Sequence, residues 1–422
     1  MRAFYTLLFY LLTPFIMLRL LWRSIKAPAY RQRWNERFGF YRKTYPQNVV
    51  WFHAVSVGEA EALFPLLRLL LVRHPDLNLL ITTTTPTGSA RVQATFGGQA
   101  EHVYLPYDMP FVIRRFMETF KPRLAVIMET EIWPNLYAGC GRQKIPLFLI
   151  NARLSEKSAR GYRRIPSLVR PALANVSLIA AQSGDDAERF VRIGAKPESV
   201  QMIGNMKFDI EIAEETIGQG RELKSSVFGE RFVWLIASTH KNEEALFLEI
   251  YPEIKTKIPE LLLVIVPRHP ERFSEVKKLC EERQLAVVMR TSGKPCTAET
   301  AVYIADTMGE LKMLYAAADA AFIGGSMVPV GGHNLLEAAA AGVPVMFGPY
   351  MANFKEIAVG VLSRQAALPC RTQEEIVSAI YSLYADPAQG AELADRAKSF
   401  LKENRGAIAT IAERIEAAMS KE

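Results

Sequence analysis

The sequence predicts an α/β protein in which two doubly wound, Rossmann-like domains follow an N-terminal membrane-anchor helix. Short apolar runs alternate with helix-length segments in two successive series, as expected for parallel sheets covered by helices on both faces. The chain has 422 residues, more than one domain normally holds, and 50% of them are hydrophobic, enough for two cores. Residues 1–26 stand apart from both series because they are predominantly apolar.

The N-terminal segment, residues 1–26, predicts attachment to a membrane. Residues 4–18 are apolar apart from two threonines, and residues 20–22 extend the run to nearly the roughly 20 residues that a spanning helix needs. No small-residue cleavage site follows, which argues against a cleaved signal peptide. The pattern is compatible with a helix that spans once, with one that lies in the headgroup region, and with a buried core helix.

The positive charge of the chain is concentrated directly after this apolar run. Residues 19–43 contain eight basic residues and one acidic residue, so their net charge of +7 equals that of the whole chain. The remainder is nearly neutral, so the sequence predicts no basic face of the kind that binds nucleic acid. The cluster instead favours an anionic membrane surface and keeps the following domains in the cytoplasm. Four scattered cysteines and six histidines without ligand spacing predict neither disulfides nor a metal site.

The first series of apolar runs predicts the N-terminal domain, residues 27–210. Its predicted strands are residues 49–55, 77–81, 103–105, 124–128, 147–150 and 178–181. Helices are predicted between them, for example over residues 59–72 and 110–120. The apolar runs lapse over residues 204–222, which predicts the interdomain linker.

The second series predicts the C-terminal domain, residues 211–422. Its predicted strands are residues 232–237, 261–266, 285–289, 301–304, 320–323 and 343–347. Its predicted helices are residues 242–258, 271–282, 311–317, 335–341, 373–385 and 389–419. Two such domains in tandem predict a cleft, with ligands bound outside the carboxyl ends of the strands.

A glycine-rich loop is the most informative feature of the second domain. Residues 324–337 (GGSMVPVGGHNLLE) follow a predicted strand and lead into a predicted helix. Glycines allow the backbone to approach a ligand closely, and a helix N-terminus attracts phosphate. Glu337, in the first helical turn, could accept hydrogen bonds from ribose hydroxyls. A plain strand–loop–helix crossover fits the loop equally well.

Two neighbouring strand ends carry further candidates. Arg268 follows one strand and could pair with a phosphate, although a solvated surface arginine is an equally good interpretation. After the strand at residues 301–304, Gly309 precedes a predicted helix and Glu310 lies beside it. Three such ends in consecutive units predict a nucleotide site more strongly than any one of them.

In the first domain, Glu59 is the candidate general base. It lies in the run HAVSVGEAE, residues 53–61, where the first predicted strand meets a helix. A carboxylate there could take a proton from an attacking hydroxyl. The alternative is a capping acid whose pKa the helix dipole lowers. Glu61 points to another part of the helix.

Basic residues after the predicted strand at 147–150 could bind acceptor phosphates. They are Arg153, Lys157, Arg160, Arg163 and Arg164. A solvated basic helix is an equally plausible interpretation of the same residues.

Five motifs together carry a family resemblance. They are HAVSVGE at 53–59, ETEIWPN at 129–135, NAR at 151–153, PRH at 267–269 and GGHNLLE at 331–337. In these motifs the chain resembles the 3-deoxy-D-manno-octulosonic acid (Kdo) transferases of lipopolysaccharide synthesis, over nearly its full length. The resemblance implies a GT-B fold and inverting transfer of Kdo from CMP-Kdo to a lipid A precursor, lipid IVA.

The resemblance also implies roles for particular residues. Glu59 is the implied proton acceptor. The implied CMP site consists of Pro267, Arg268, Met308, Gly309, Glu310, Asn334, Leu335, Leu336 and Glu337. No metal or other cofactor is implied, and the implied location is the cytoplasmic face of the inner membrane. Two alternatives remain: a membrane-associated GT-B enzyme that uses a UDP-sugar, and a non-catalytic nucleotide-binding membrane protein.

Overall fold

Residues 1–420 are described by the computed structural model and fold as two α/β units. The first unit contains Met1–Asp209 together with the C-terminal segment that begins at Arg405, and the second contains Ile210–Asn404. Both units carry a seven-stranded sheet. The prediction of two parallel-sheet α/β domains is therefore confirmed.

The first unit begins with a long helix and then alternates strands with helices. Its helices are α1 (Arg2–Lys26), α2 (Trp34–Arg37), α3 (Val57–Arg73), α4 (Pro86–Phe96), α5 (Pro110–Phe120), α6 (Pro134–Arg142), α7 (Glu156–Arg163), α8 (Pro166–Leu173) and α9 (Gly184–Ile193). Its strands are β1 (Val50–His53), β2 (Leu79–Thr83), β3 (Glu101–Tyr104), β4 (Leu124–Met128), β5 (Leu147–Ala152), β6 (Leu178–Ala181) and β7 (Val200–Met202).

The first sheet is parallel and has the order β3-β2-β1-β4-β5-β6-β7. Successive residues along its strands face two different cores. In β1, Trp51 packs into one core while Val50 and Phe52 pack into the other. Because both faces are covered, the central strands are apolar without interruption, which is why the sequence predicted them.

The second unit repeats this architecture. Its helices are α10 (Glu214–Leu223), α11 (Glu243–Lys257), α12 (Phe273–Glu281), α13 (Leu311–Ala316), α14 (Leu336–Ala341), α15 (Lys355–Ser363), α16 (Gln373–Ala385) and α17 (Pro387–Glu403). Its strands are β8 (Phe232–Thr239), β9 (Leu261–Pro267), β10 (Val287–Met289), β11 (Val302–Ile304), β12 (Ala320–Ile323), β13 (Val345–Phe347) and β14 (Leu368–Pro369).

The second sheet is also parallel, in the order β10-β11-β9-β8-β12-β13-β14. All twelve predicted strands are present. The edge strands β7 and β14 were not predicted, because three and two residues respectively give too short an apolar run to recognise. The predicted linker region also contains a helix, α10, which belongs to the second unit.

The last helix, α18 (Ala407–Met419), belongs to the first unit. The sequence predicted one helix over residues 389–419 and assigned it to the C-terminal domain. In the structure the helix is interrupted at Gly406, which adopts a left-handed conformation with φ 109°. Only α17 stays with the second unit.

Two physical features hold α18 in the first unit. Its apolar residues recur at helical spacing, and Ile408, Ile411 and Ile415 pack into the core that contains Val50 and Phe52. The carboxylate of Asp209 accepts hydrogen bonds from the backbone N–H groups of Gly406 and Ile408, both at 2.6 Å. This capping fixes the point at which the helix begins.

The predicted N-terminal apolar helix is confirmed as α1. Within it, Arg2–Ile25 is long and apolar enough to cross a membrane, judged by length and composition alone. The helix continues through Pro14.

Candidate functional site

Each sheet has a switch point, where the order of the strands reverses and where ligands of doubly wound folds bind. In the first unit the switch point lies between β1 and β4. Glu59 follows β1 and Glu129 follows β4. In the second unit it lies between β8 and β12, so that His240 and the glycine-rich loop after Ile323 lie at its carboxyl edge.

Glu59 lies in the first turn of α3 and takes part in a capping arrangement. Ser56 is the N-cap residue, and its hydroxyl accepts a hydrogen bond from the Glu59 backbone N–H at 3.4 Å. The Glu59 carboxylate reaches back and accepts one from the Val55 N–H at 2.8 Å. The capping role and a position at the switch point are therefore both real properties of this residue.

Burial decides how Glu59 ionises. Its half-buried carboxyl is desolvated, and this raises its pKa to about 7, although the Val55 N–H opposes the shift. The negative charges of Glu129 and Glu131 contribute to the same raised value. The expected lowering by the helix dipole is thus outweighed, and the group titrates near neutral pH, where a general base is effective.

The backbone is strained at three non-glycine residues on these sheet edges. Glu129, Asn151 and Ser238 have φ values of 56°, 49° and 59°. The β5–β6 register shifts between Leu149 and Ala152, around Asn151, and the β8–β9 register shifts around Ser238. Left-handed non-glycine residues and β-bulges of this kind are concentrated at functional sites, where the surrounding structure holds the backbone in these conformations.

In the second unit, Glu243 organises the start of the glycine-rich loop. Its fully buried carboxylate accepts hydrogen bonds from the N–H groups of Gly325, Ser326 and Met327 at 2.7, 3.1 and 3.0 Å. A fourth comes from the His240 N–H at 3.0 Å. The sequence analysis missed this residue, because an acid in the first turn of a helix looks like any dipole-favoured acid.

Histidines surround Arg268 at the same sheet edge. His240 and His333 are stacked with ring centroids 5.0 Å apart, and their Nε2 atoms are 2.8 Å apart. His269 meets His240 edge to face at 5.4 Å. Burial lowers the pKa of His333 to about 4, and the positive charge of Arg268 contributes. Burial also lowers the pKa of His240, so the neutral forms of the two stacked rings are favoured beside the Arg268 guanidinium.

Arg268 lies where the sequence predicted it, directly after Pro267 at the end of β9. Its backbone N–H bonds to the Thr239 carbonyl at 3.0 Å, which joins it to β8. Among residues 1–420 no carboxylate forms an ion pair with the Arg268 guanidinium. That group therefore keeps its hydrogen-bond donors for an anionic ligand.

Glu310 is already engaged by an arginine that the sequence analysis did not single out. Arg290 forms a forked ion pair with it, with both nitrogen–oxygen distances at 3.1 Å, and Thr307 donates a third hydrogen bond. Hydrogen bonding from Arg290 lowers the pKa of Glu310. Glu310 is the N-cap of α13, which begins at Leu311 as predicted. Gly309 and Met308 are exposed beside it.

The four residues from Asn334 to Glu337 contribute in different ways. The Asn334 side chain accepts a hydrogen bond from the Leu336 N–H at 3.1 Å, at the start of α14. Leu335 and Leu336 are fully buried beneath this turn. Glu337 is half-buried in the first turn of α14, as predicted.

Other residues of the predicted motifs have structural roles. His53 is fully buried and hydrogen-bonded to Thr82, and burial lowers its pKa to about 4. Glu61 is exposed and pairs with Arg91 at 3.0 Å, as its predicted orientation implies. Arg153 pairs with Glu129 at 2.9 Å.

The remaining basic residues after β5 lie on or beside α7. Lys157, Arg160, Arg163 and Arg164 are all exposed. Within residues 1–420, no group of three or more histidine, cysteine or acidic side chains is arranged to hold a metal ion.

Comparison with known proteins identifies a consistent set of relatives. The model of the family described as 3-deoxy-D-manno-octulosonic-acid transferase (kdotransferase) matches residues 32–210. A 3-deoxy-D-manno-octulosonic acid transferase of Haemophilus influenzae is 38% identical over 410 residues, which are 96% of each chain. One from Bordetella pertussis is 35% identical and also covers 96% of each chain.

Solved structures share the architecture at low sequence identity. The UDP-GlcNAc 2-epimerase from Neisseria meningitidis superposes with a TM-score of 0.58 at 15% identity, over 87% of this chain and 99% of its own. A glycosyltransferase from Rickettsia africae gives 0.56 at 12% identity, over 90% and 100%. At these identities the likeness concerns the fold, and it confirms the predicted GT-B class.

Proposed function

The chain belongs to the 3-deoxy-D-manno-octulosonic acid transferase family, and from this premise we propose that it moves Kdo from CMP-Kdo to the lipid A precursor lipid IVA with inversion at the anomeric carbon. The observation that carries the proposed mechanism is the environment of Glu59, a half-buried carboxyl at a sheet switch point with a pKa of about 7. The reaction is proposed to occur at the cytoplasmic face of the inner membrane.

Glu59 acts as the general base in this proposal. As the acceptor hydroxyl attacks the anomeric carbon of Kdo, the Glu59 carboxylate takes its proton. The bond between that carbon and the phosphate oxygen breaks, and CMP leaves with the bonding electrons. One displacement of this kind inverts the anomeric centre. Its raised pKa makes Glu59 a stronger base than an ordinary carboxylate while leaving it substantially ionised at neutral pH.

The donor nucleotide is proposed to bind at the carboxyl edge of the second sheet. Arg268 binds the CMP phosphate and stabilises the negative charge that develops on it as it leaves. The backbone of residues 334–337 and the exposed Gly309 contact the nucleoside, together with Pro267 and Met308. We assign Glu310, which Arg290 holds, and Glu337 to the ribose hydroxyls, from which their carboxylates accept hydrogen bonds.

The acceptor side is supported by charge. Lys157, Arg160, Arg163 and Arg164 are exposed and, within residues 1–420, none of them forms an ion pair with a carboxylate. We assign these groups to the phosphates of the lipid A precursor, because flexible basic side chains bind phosphate without requiring one fixed geometry. The apolar helix α1 supports a location at the membrane that holds this acceptor.

Donor choice tests the proposal against a UDP-sugar enzyme. CMP should bind the purified protein in a calorimeter and compete with CMP-Kdo in the transfer assay, whereas UDP should do neither at the same concentration. Transfer should continue in EDTA, because metal independence is carried over from the family resemblance. Tighter binding of UDP than of CMP would reject the proposed donor.

A further inference from the structure

Helix α1 exposes its large apolar side chains, whereas a helix of a soluble protein normally buries them. One face carries Phe4, Leu8, Leu11, Phe15, Leu18 and Trp22, which recur every three or four residues and so form a single line, here called the apolar stripe. Leu11, Phe15 and Trp22 are 63%, 67% and 68% exposed. Large apolar side chains in such a line are not left in water by a stable soluble fold.

The opposite face of α1, here called the covered face, contacts the rest of the first unit. It carries Tyr5, Phe9, Thr13, Ile16, Leu20 and Ser24, which are partly or fully buried and also recur at helical spacing. This face therefore includes hydroxyl groups while the exposed face consists of hydrocarbon. A helix that only completed a soluble core would show the reverse arrangement.

Both ends of α1 are attached to the same globular unit. Near the start, the Asn135 amide donates to the Thr6 hydroxyl at 3.0 Å, and the ring of Phe9 lies 6.3 Å from that of Tyr107. Near the end, Ser24 accepts a hydrogen bond from Arg31 of the segment that follows, at 2.9 Å. In the same segment, Arg33 donates to the His102 carbonyl of β3 at 2.6 Å, which fixes the segment to the sheet.

The distance between these attachments decides against a spanning helix. From residue 6 to residue 24, an α-helix rises about 27 Å, close to the roughly 30 Å of a bilayer's hydrocarbon core. If α1 crossed the membrane, one of the two attachments would have to lie on the far side. The attached unit has a polar surface and buried polar groups such as Asp108, so it cannot follow the helix into hydrocarbon.

Further side chains extend the apolar stripe onto the body of the unit. Phe111 of α5 stacks on Tyr10 with ring centroids 6.2 Å apart, and Phe111 is itself partly exposed. On the same face of α5, the Arg115 guanidinium lies 4.0 Å from the centre of the exposed Phe40 ring. The exposed Arg19 and Arg23 lie beside the stripe. Hydrocarbon bordered by guanidinium groups matches a bilayer with anionic headgroups, whereas a second copy of the same surface would repel it.

We propose that α1 is an in-plane anchor, which lies along the bilayer surface with the apolar stripe among the acyl chains and the covered face held by the first unit. It does not cross the membrane. The proposal rests on the membrane location given above but is independent of the transfer reaction.

Cysteine cross-linking tests the orientation in the full-length protein within isolated membranes. The pair Thr6→Cys with Asn135→Cys should be bridged by a short bis-methanethiosulfonate reagent, as should Phe9→Cys with Tyr107→Cys, detected by loss of two maleimide-reactive thiols. The pair Leu11→Cys with Asn135→Cys is the matched control and should stay open, and it also measures the background of the four native cysteines. Failure of both test pairs to close in membranes would overturn the proposal.

Flotation with phosphatidylethanolamine–phosphatidylglycerol vesicles tests whether the apolar stripe binds lipid. The double variant Leu11→Glu with Phe15→Glu should lower the partition coefficient by at least about a hundredfold, because two large side chains lose their lipid contact. The control Val72→Glu with Met202→Glu changes two other highly exposed apolar residues of the first unit and should bind as the wild type does. Unchanged binding by the stripe variant would overturn the proposal, as would loss of a dimer without loss of vesicle binding.

Discussion

Replacement of Glu59 by glutamine should remove the proposed general base and keep the local structure intact. The glutamine side-chain oxygen can still accept the hydrogen bond from the Val55 N–H, so α3 keeps its cap. General-base catalysis contributes roughly 100- to 10,000-fold, and kcat should fall by that factor. CMP should bind with unchanged affinity, since the proposed nucleotide site consists of other residues. The control is Glu61→Gln on the same helix, which removes a charge from an exposed ion pair.

The pH dependence of catalysis and of stability tests the assignment of Glu59 as the general base. A pKa of about 7 leaves only ~10% of Glu59 ionised at pH 6, so the wild-type kcat/KM should be about a tenth of its maximum there and fall about tenfold with each further unit. The raised pKa also means that ionisation costs stability as pH rises from the ordinary carboxyl value through about 7. The Glu59→Gln variant should therefore unfold at pH 8 no earlier than the wild type. Near-normal turnover in this variant, or an acidic limb that survives the substitution, would refute the assignment.

Three further variants test individual contacts. Arg268→Ala should weaken CMP binding about 10- to 100-fold in calorimetry, because a charge-assisted contact to phosphate is lost. Glu243→Gln should lower the free energy of unfolding by about 2–4 kcal/mol in a thermal or denaturant experiment, and should weaken CMP binding. A side-chain NH₂ replaces one of the two carboxylate oxygens, and each of these oxygens accepts hydrogen bonds from two backbone N–H groups. Asp209→Ala should cost about 1–2 kcal/mol and speed amide hydrogen exchange in α18, because its cap is lost.

Matched controls distinguish these effects from general damage. Arg283→Ala removes another exposed arginine of the second unit and should leave CMP affinity unchanged. Glu253→Gln alters an exposed glutamate on α11, the same helix as Glu243, and should be neutral. If Arg268→Ala binds CMP normally, the proposed phosphate contact is wrong. If α18 in Asp209→Ala exchanges no faster than in the wild type, the cap does not hold that helix.

The central strands could be predicted because each is a continuous apolar run, and this follows from burial on both faces of a parallel sheet. The unit to which α18 belongs could not be predicted from the sequence. Its apolar spacing marks a helix with one buried face, but spacing does not say which core receives that face. The left-handed Gly406 and the capping by Asp209, nearly 200 positions earlier, together determine it.

The candidate site could be predicted where a charged side chain comes shortly after a predicted strand, as with Glu59 and Arg268. Residues that hold other residues were missed. Glu243 and Arg290 look like ordinary surface charges in the sequence. Only the fold shows that Glu243 accepts hydrogen bonds from four backbone N–H groups and that Arg290 forms an ion pair with Glu310. The raised pKa of Glu59 also depends on its burial and on Glu129 and Glu131, which the sequence separates from it by about seventy positions.

Mass spectrometry of the lipid product tests directly whether the protein transfers Kdo from CMP-Kdo to lipid IVA. The purified protein would be incubated in detergent with CMP-Kdo and lipid IVA, and the lipid fraction analysed for added sugar. We expect lipid IVA carrying whole Kdo residues, with one CMP released for each, and at most about a hundredth as much product from the Glu59→Gln variant over the same time. Unmodified lipid IVA from folded wild-type protein that binds CMP, or a hexose added from a UDP-sugar, would contradict the proposed transfer of Kdo.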